Sequence, residues 1–321
     1  MSYLLFGQRP GLLCLAGLFA GALAGCKPGD KGDEAPVSES TPPTPSKQGP
    51  TSDPNSKKPS AKEVRRLLES LPSEDEVQKI VNKNDLAPYA GPTGSVAGIV
   101  FATGDPPTEE TAALKKIEPS CQPAEKTFGK LFREGPERQL ADVLVAVTHY
   151  KGYVPEEDPA EEVIGRDCAW SSRTIAMTFG QALTIRGADA RAYAPELLGQ
   201  PMPAQLFVLP TAPPVQLPPG KPGRFKLVDS VRLFNQAEVF VLPYATHTVT
   251  RLDGRFSIPQ IPVGKARVSV FLPQTKQTAQ RDVEIKADKT IELEFKLPFD
   301  AAAFKKTDKR VPLDEIPGPE E

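Results

Sequence analysis

Beyond residue 93 the chain runs largely in alternating or short continuous apolar stretches. Residues 95–101 (SVAGIVF), 140–148 (LADVLVAVT) and 174–185 (TIAMTFGQALTI) predict strands, the last broken at Gly180. Further strands are expected at 205–209, 224–228, 238–242, 266–272 and 289–297. Pro- and Gly-rich loops separate these runs, and they do not alternate with helical patterns as a parallel α/β sheet requires. The expected architecture over residues 94–298 is therefore mainly β, a sandwich of one or more domains. Residues 210–223 hold six prolines in 14 positions and predict an ordered loop or a seam between subdomains.

A helical period precedes this block. Val64, Leu67, Leu68 and Leu71 recur at i, i+3, i+4 and i+7, and Pro72 ends the stripe. Ser73 followed by Glu76 has the form of a capping box opening a second helix with Val77, Ile80 and Val81. This patch, residues 61–85, has narrow apolar stripes and must pack on something, either the chain's own β domain or a partner. Upstream, residues 27–60 carry eight prolines in 34 positions, with Ala35 and Val37 the only hydrophobic residues. Such a segment cannot offset its ordering entropy by burial, so residues 26–60 are expected to be a disordered tether. Its coil reach is roughly 30–35 Å. Residues 11–25 run without a charge for 15 positions. That is roughly 22 Å of helix, short of a bilayer core of about 30 Å but suited to the apolar centre of a signal peptide. Residues 299–321 are expected to be a polar tail, basic at Lys305, Lys306, Lys309 and Arg310 and acidic at Glu320 and Glu321.

Composition narrows the chemistry. A net charge of −2 argues against a large phosphate footprint, so no nucleic-acid partner is expected. Two histidines in 321 residues leave little scope for a multi-histidine metal site. Nucleophile-elbow, zinc-protease, phosphate-loop and haem-attachment motifs are absent from the sequence. His149 is expected at an exposed strand end and His247 on a hairpin flank. Glu156, Glu157, Asp158, Glu161 and Glu162 read as a solvated acidic loop. No catalytic residue, cofactor or metal ligand is assigned, and the chain is not expected to be an enzyme.

Leu23-Ala24-Gly25-Cys26 resembles the lipobox of bacterial lipoproteins. The resemblance implies that residues 1–25 are a leader and that Cys26 carries the lipid, with the membrane as partner. Lys27 stands where an aspartate would signal inner-membrane retention, which points to the outer membrane. Cys14 then leaves with the leader. Cys121 and Cys168 remain in an oxidising compartment, where they are expected to bridge unless the fold holds them apart.

Two further resemblances concern the β region. Residues 94–100 (GSVAGIV) and the later run Thr250-Arg-Leu-Asp-Gly-Arg-Phe-Ser-Ile-Pro-Gln-Ile-Pro-Val-Gly-Lys are similar to carboxypeptidase-regulatory-like modules. There the second stretch forms a hairpin around its Asp-Gly turn. Residues 94–272 resemble cupredoxin-like proteins of the methylamine-utilisation/plastocyanin type, through Asp142-Val-Leu-Val, Cys168-Ala-Trp170 and Gly180-Gln-Ala-Leu-Thr-Ile185. The family's copper ligands are not matched. Tyr193 stands at the place of a turn histidine, and Leu233-Phe-Asn-Gln236 at the cysteine–histidine loop. The implied fold is a cupredoxin-like or regulatory-like β-sandwich behind a short helical patch and a disordered tether. The leading functional reading is a membrane-anchored, non-enzymatic binding or scaffold lipoprotein with an envelope protein partner. The alternatives are a copper electron-transfer protein, or a carbohydrate or cell-wall binder using Trp170, Tyr150, Tyr153 and Tyr193. Trp170 is otherwise expected to pack against the disulfide.

Overall fold

The computed structural model describes residues 71–200 and 205–307. The leader, Cys26, the tether, the stripe from Val64 to Leu68 and the tail beyond residue 307 lie outside the described residues. In chain order the elements begin with α1 (Glu74–Val81), β1 (Thr93–Gly104), α2 (Thr111–Leu114), a 3-10 turn (Pro119–Ala124) and α3 (Glu125–Phe128). Then come β2 (Leu144–Thr148), β3 (Ala160–Arg166), β4 (Ala169–Trp170), β5 (Thr174–Thr178), β6 (Ala182–Gly187), β7 (Pro195–Leu198), β8 (Val215–Leu217), β9 (Gly223–Asp229) and β10 (Gln236–Leu242). The last are β11 (His247–Val249), β12 (Arg255–Pro262), β13 (Gly264–Leu272), β14 (Gln277–Ile285), β15 (Thr290–Phe299) and α4 (Ala301–Thr307).

These strands form two sandwiches, one inserted into the other. In the first, the sheet β12-β1-β15 faces the sheet β11-β2-β13-β14 across a core that includes Val96, Val145, Phe256, Val268 and Phe295. In the second, β5-β10-β9-β7 faces β4-β3-β6-β8 across Ile175, Leu183, Tyr193, Leu227 and Val239. The chain leaves the first sandwich after β2 and returns to it at β11. Burial explains the sequence of each layer. β1 alternates between buried and half-buried positions, as a strand with one core face should. β2 and β5 are near-continuous apolar runs because both of their faces are covered. Val145 points into the first core and Ile175 into the second, while Leu144, Ala176, Phe240 and Leu242 form a seam between the sandwiches. Phe240 and Phe271 meet edge to face there, centroids 5.9 Å apart.

The expected capping box forms. Ser73 accepts the Glu76 amide and Glu76 accepts the Ser73 amide, opening α1. Val77 and Val81 pack against the second core, so α1 docks on its own β domain. Gly180 makes that approach possible. Its φ is +107°, and a Cβ there would lie 2.8 Å from Val77 Cγ1.

Several expectations need correction. The Asp253-Gly254 turn forms, with Gly254 donating to Arg251 O, but its flanking strands do not pair with each other. β11 pairs with β2 and β12 with β1, so the turn carries the chain from one sheet to the other. Residues 205–209 are not a strand. Only Val208 makes a ladder contact, with Tyr193. Residues 210–223 are not wholly loop, since β8 edges the second sandwich. Glu161 and Glu162 lie in β3, whose Val163 and Gly165 face inward. Residues 299–307 are not a polar tail: Phe299 is buried between Phe132 and Phe304, and Asp300 caps α4. β14 is not expected from the sequence, yet it pairs with β13 along nine residues and packs Ala279, Val283 and Ile285 on the first core.

Candidate functional site

A groove of about 290 Å3 opens where α1, the 153–159 loop, the turn after β5 and the 243–245 segment converge. Its apolar floor comes from Val77, Val81, Tyr153, Phe179 and Tyr244, and its rim carries Glu156, Glu157 and Asp158. Among the described residues no lysine, arginine or histidine lines it. The turn after β5 is tight. Gln181 accepts the Thr178 amide through Oε1 and donates through Nε2 to Asp158 O, tying the rim to the strand.

Below the rim the two sandwiches are joined by polar contacts. Thr178 Oγ1, at the end of β5, lies 2.6 Å from Glu156 Oε2 and 3.0 Å from His247 Nε2 of β11. The hydroxyl has one proton and gives it to the carboxylate, so His247 Nε2–H is the donor to the hydroxyl oxygen. Burial lowers the His247 pKa to about 4, keeping the ring neutral. Thr178 is buried and its hydroxyl is fully engaged. The trio therefore seals the seam and offers no free nucleophile. Burial also pushes Tyr244 up to about 12. Glu161 has its pKa raised to about 7, first by burial and then by the charges of Glu156, Asp158 and Glu162. Of these three groups, only Glu161 is also shifted by neighbouring carboxylate charge.

A test follows from Glu161. Its folded pKa lies above the ordinary 4.5, so between about 4.5 and 7 the folded state binds more protons than the unfolded state. Stability from this group is then lost as pH rises through that window. Glu161→Gln is expected to stabilise the protein at pH 8, on the order of 1–2 kcal/mol after solvent screening, and to change little at pH 5. Urea melts at the two pH values measure this, and equal effects at both would disprove it.

The sequence-assigned positions fall elsewhere. Cys121 and Cys168 are bonded. Ala124, Phe128, Ala169 and Phe234 surround the bridge, whereas Trp170 sits in the second core against Tyr193, centroids 5.4 Å apart. Trp170 and Tyr193 are 1% and 0% exposed, so neither ring can stack on a sugar. Tyr150 is half-buried with its hydroxyl 3.1 Å from Thr246 Oγ1, whose own proton goes to Val147 O, and Tyr153 lines the groove. His149 is exposed at the end of β2, as expected, with φ +62°. His247 is in a strand rather than on a hairpin flank.

The positions that the cupredoxin resemblance equates with copper ligands are committed to structure. The Tyr193 hydroxyl lies 3.3 Å from the Cys168 amide and donates toward the Asp189 carboxylate at 3.2 Å. Arg232 covers the Tyr193 ring. Asn235 accepts the Trp170 amide at 2.8 Å. The buried atoms left without partners there, Trp170 Nε1 and Asn235 Nδ2, are both N–H donors, which repel a cation. Both core cysteines are in the disulfide, and the histidines lie elsewhere. The residues present do not fit copper. Among the described residues no group of three or more His, Cys, Asp or Glu side chains converges to hold a metal.

No protein-family model matches the chain, and no curated protein matches it. Solved structures similar to part of it include a Cu-containing nitrite reductase from Thermus scotoductus SA-01, 11% identical, with a TM-score of 0.23. That match covers 30% of this chain and 25% of the reductase, so the chain spans about a quarter of its length. A methionine-to-alanine mutant of amicyanin with Cu(I) is 14% identical over 30% of this chain and 98% of its own, with a TM-score of 0.22.

Proposed function

We propose that the chain is a lipid-anchored, non-enzymatic binding or scaffold protein of the cell envelope, held at the outer membrane through Cys26. The observation that carries this reading is the order of its N-terminal parts. A 15-residue apolar run closes on Leu23-Ala-Gly-Cys26, and a polar, proline-rich tether leads from there to the β region. A tether of roughly 30–35 Å reach holds a folded domain away from a lipid surface while leaving it free to engage a partner. The sandwiches suit a scaffold. Tyr193, Asn235, Thr178 and His247, the residues with the most chemical potential, serve packing and cross-linking.

The experiment is metabolic labelling with palmitate of the full-length chain made in a bacterial host, followed by membrane fractionation. The wild-type chain is expected to carry label and sediment with the membranes. Cys26→Ala should lose both while keeping the same melting temperature. An unlabelled wild-type chain whose leader has been removed would sink the anchor.

A further inference from the structure

We infer that the groove beside α1 is the docking site for the chain's own basic segment, residues 57–66, so that the root of the tether is clamped onto the sandwich. The inference concerns the tether's other end and does not depend on a lipid at Cys26. The groove has an apolar floor and an acidic rim, and among the described residues no cationic side chain lines it. An apolar face with an uncompensated negative edge fits a segment that pairs aliphatic residues with cations. Such a segment lies immediately upstream. Residues 57–66 (KKPSAKEVRR) contain Lys57, Lys58, Lys62, Arg65 and Arg66 against a single acid, Glu63.

Spacing and position both favour this occupant. Lys58, Lys62 and Arg65 recur at i, i+4 and i+7, beside the stripe of Val64, Leu67, Leu68 and Leu71. The described chain begins at Leu71, two residues before the cap of α1, and α1 is itself a wall of the groove. The segment therefore need not reach far, and loop closure costs it little. Apolar surface is left uncovered where it would arrive: Leu71 and Ile80 are 38% and 41% exposed. Docking would leave the free tether ending near residue 56 and fix the direction in which the domain leaves it.

The test is hydrogen exchange on the full mature chain in detergent micelles, followed by mass spectrometry. Backbone amides of residues 57–70 are expected to exchange roughly ten-fold or more slowly than a random coil, unlike those of residues 30–50. Glu157 and Asp158 are exposed, and their side chains hold no hydrogen bond among the described contacts, so the double change Glu157→Lys, Asp158→Lys leaves the fold intact. It should return residues 57–70 to within about two-fold of the coil rate. Lys62→Glu with Arg65→Glu should do the same, and combining all four changes should restore protection. Coil-like exchange in the wild type would overturn the proposal. So would protection that ignores both charge reversals, or a four-fold variant that stays unprotected. A further overturning result is an unprotected wild-type segment together with a groove protected by an added Lys/Arg peptide, which would make the site one for another chain.

Discussion

Replacing Asp142 by Asn is expected to cost about 3–5 kcal/mol, more than any other single polar change in the described chain. Asp142 is 1% exposed and sits just before β2 with φ +64°, a conformation that Asn also tolerates. The backbone is thus preserved and the charge alone is removed. Arg133 donates to both carboxylate oxygens, Nε to Oδ2 and Nη2 to Oδ1, each at 2.6 Å. Ser172 Oγ and the Arg173 amide each donate to Oδ1 at 2.9 Å. Asp142 belongs to the first sandwich and residues 172–173 lead into β5 of the second, so the carboxylate pins the two together at one end of their seam. Without it Arg133, itself 14% exposed, keeps a charge with no partner. At about 2–4 °C per kcal/mol for a chain of this size, the melting temperature should fall by roughly 10 °C. Calorimetry should also show one transition splitting into two as the sandwiches uncouple. Adding Arg133→Met should recover part of the loss, because the stranded charge goes as well.

Acid gives the same result by titration. Burial by itself would raise the Asp142 pKa. The hydrogen bonds and charge of Arg133 and the amide of Arg173 outweigh it and hold the carboxyl below its ordinary 3.8. A group whose pKa is depressed by folding stabilises above its ordinary value, and that stability disappears as pH falls through the folded pKa. Wild type and Asp142→Asn should therefore differ fully at pH 6–7, and the difference should start to shrink as pH falls below about 4. A difference that does not shrink at all between about pH 4 and pH 2.5 would mean that Asn perturbs the backbone rather than the ion pair.

How much of this was legible in the sequence depends on how local its cause is. The capping box of Ser73 and Glu76 is complete within four residues, and the structure forms it there. The runs at 144–148 and 174–178 read as strands because burial on both faces leaves no polar position to obscure them. β14 was missed because only Ala279, Val283 and Ile285 of its nine residues are apolar and Arg281 interrupts their alternation, which leaves the period too weak to read. β3 was missed because Glu161 and Glu162 outweigh the inward Val163 and Gly165, and Gly165 is small to fit beneath the Tyr193 ring. The insertion was not legible at all. Residues 94–272 read as one cupredoxin-like stretch, yet residues 94–100 and 142–145 belong to the first sandwich and Trp170 and Tyr193 to the second. The seam depends on pairings of strands far apart in the chain. The groove is equally non-local, since Thr178 meets partners 22 and 69 residues away, and no window of sequence contains them.

The second large effect concerns the Cys121–Cys168 bridge. Changing both cysteines to alanine is expected to cost about 4 kcal/mol, the loop-closure entropy for a separation of 47 residues. Alanine is the appropriate replacement, because both sulfurs are buried, at 2% and 0%, and a serine hydroxyl there would need a partner. The loss should be concentrated in residues 105–130. This stretch has little core of its own: α2 buries no residue, and the 3-10 turn and α3 bury only Cys121, Ala124 and Phe128. Phe128 reaches the second sandwich by meeting Phe234 edge to face at 5.9 Å, and Arg173 donates to Lys130 O at 2.8 Å. Those contacts are too few to replace a covalent link, so within residues 71–307 trypsin should cut first at Lys115, Lys116 or Lys126 in the variant and spare them in the oxidised wild type. Cys168 also shapes the second sandwich, because its amide donates to the Tyr193 hydroxyl from a residue with φ +64°. Loss of the bridge should therefore loosen the turn between β3 and β4 while the core of Ile175, Leu183 and Val239 stays folded. A variant that melts within about 1 °C of the wild type and resists trypsin equally would show that packing around Phe128 and Phe234, rather than the bridge, holds the segment in place.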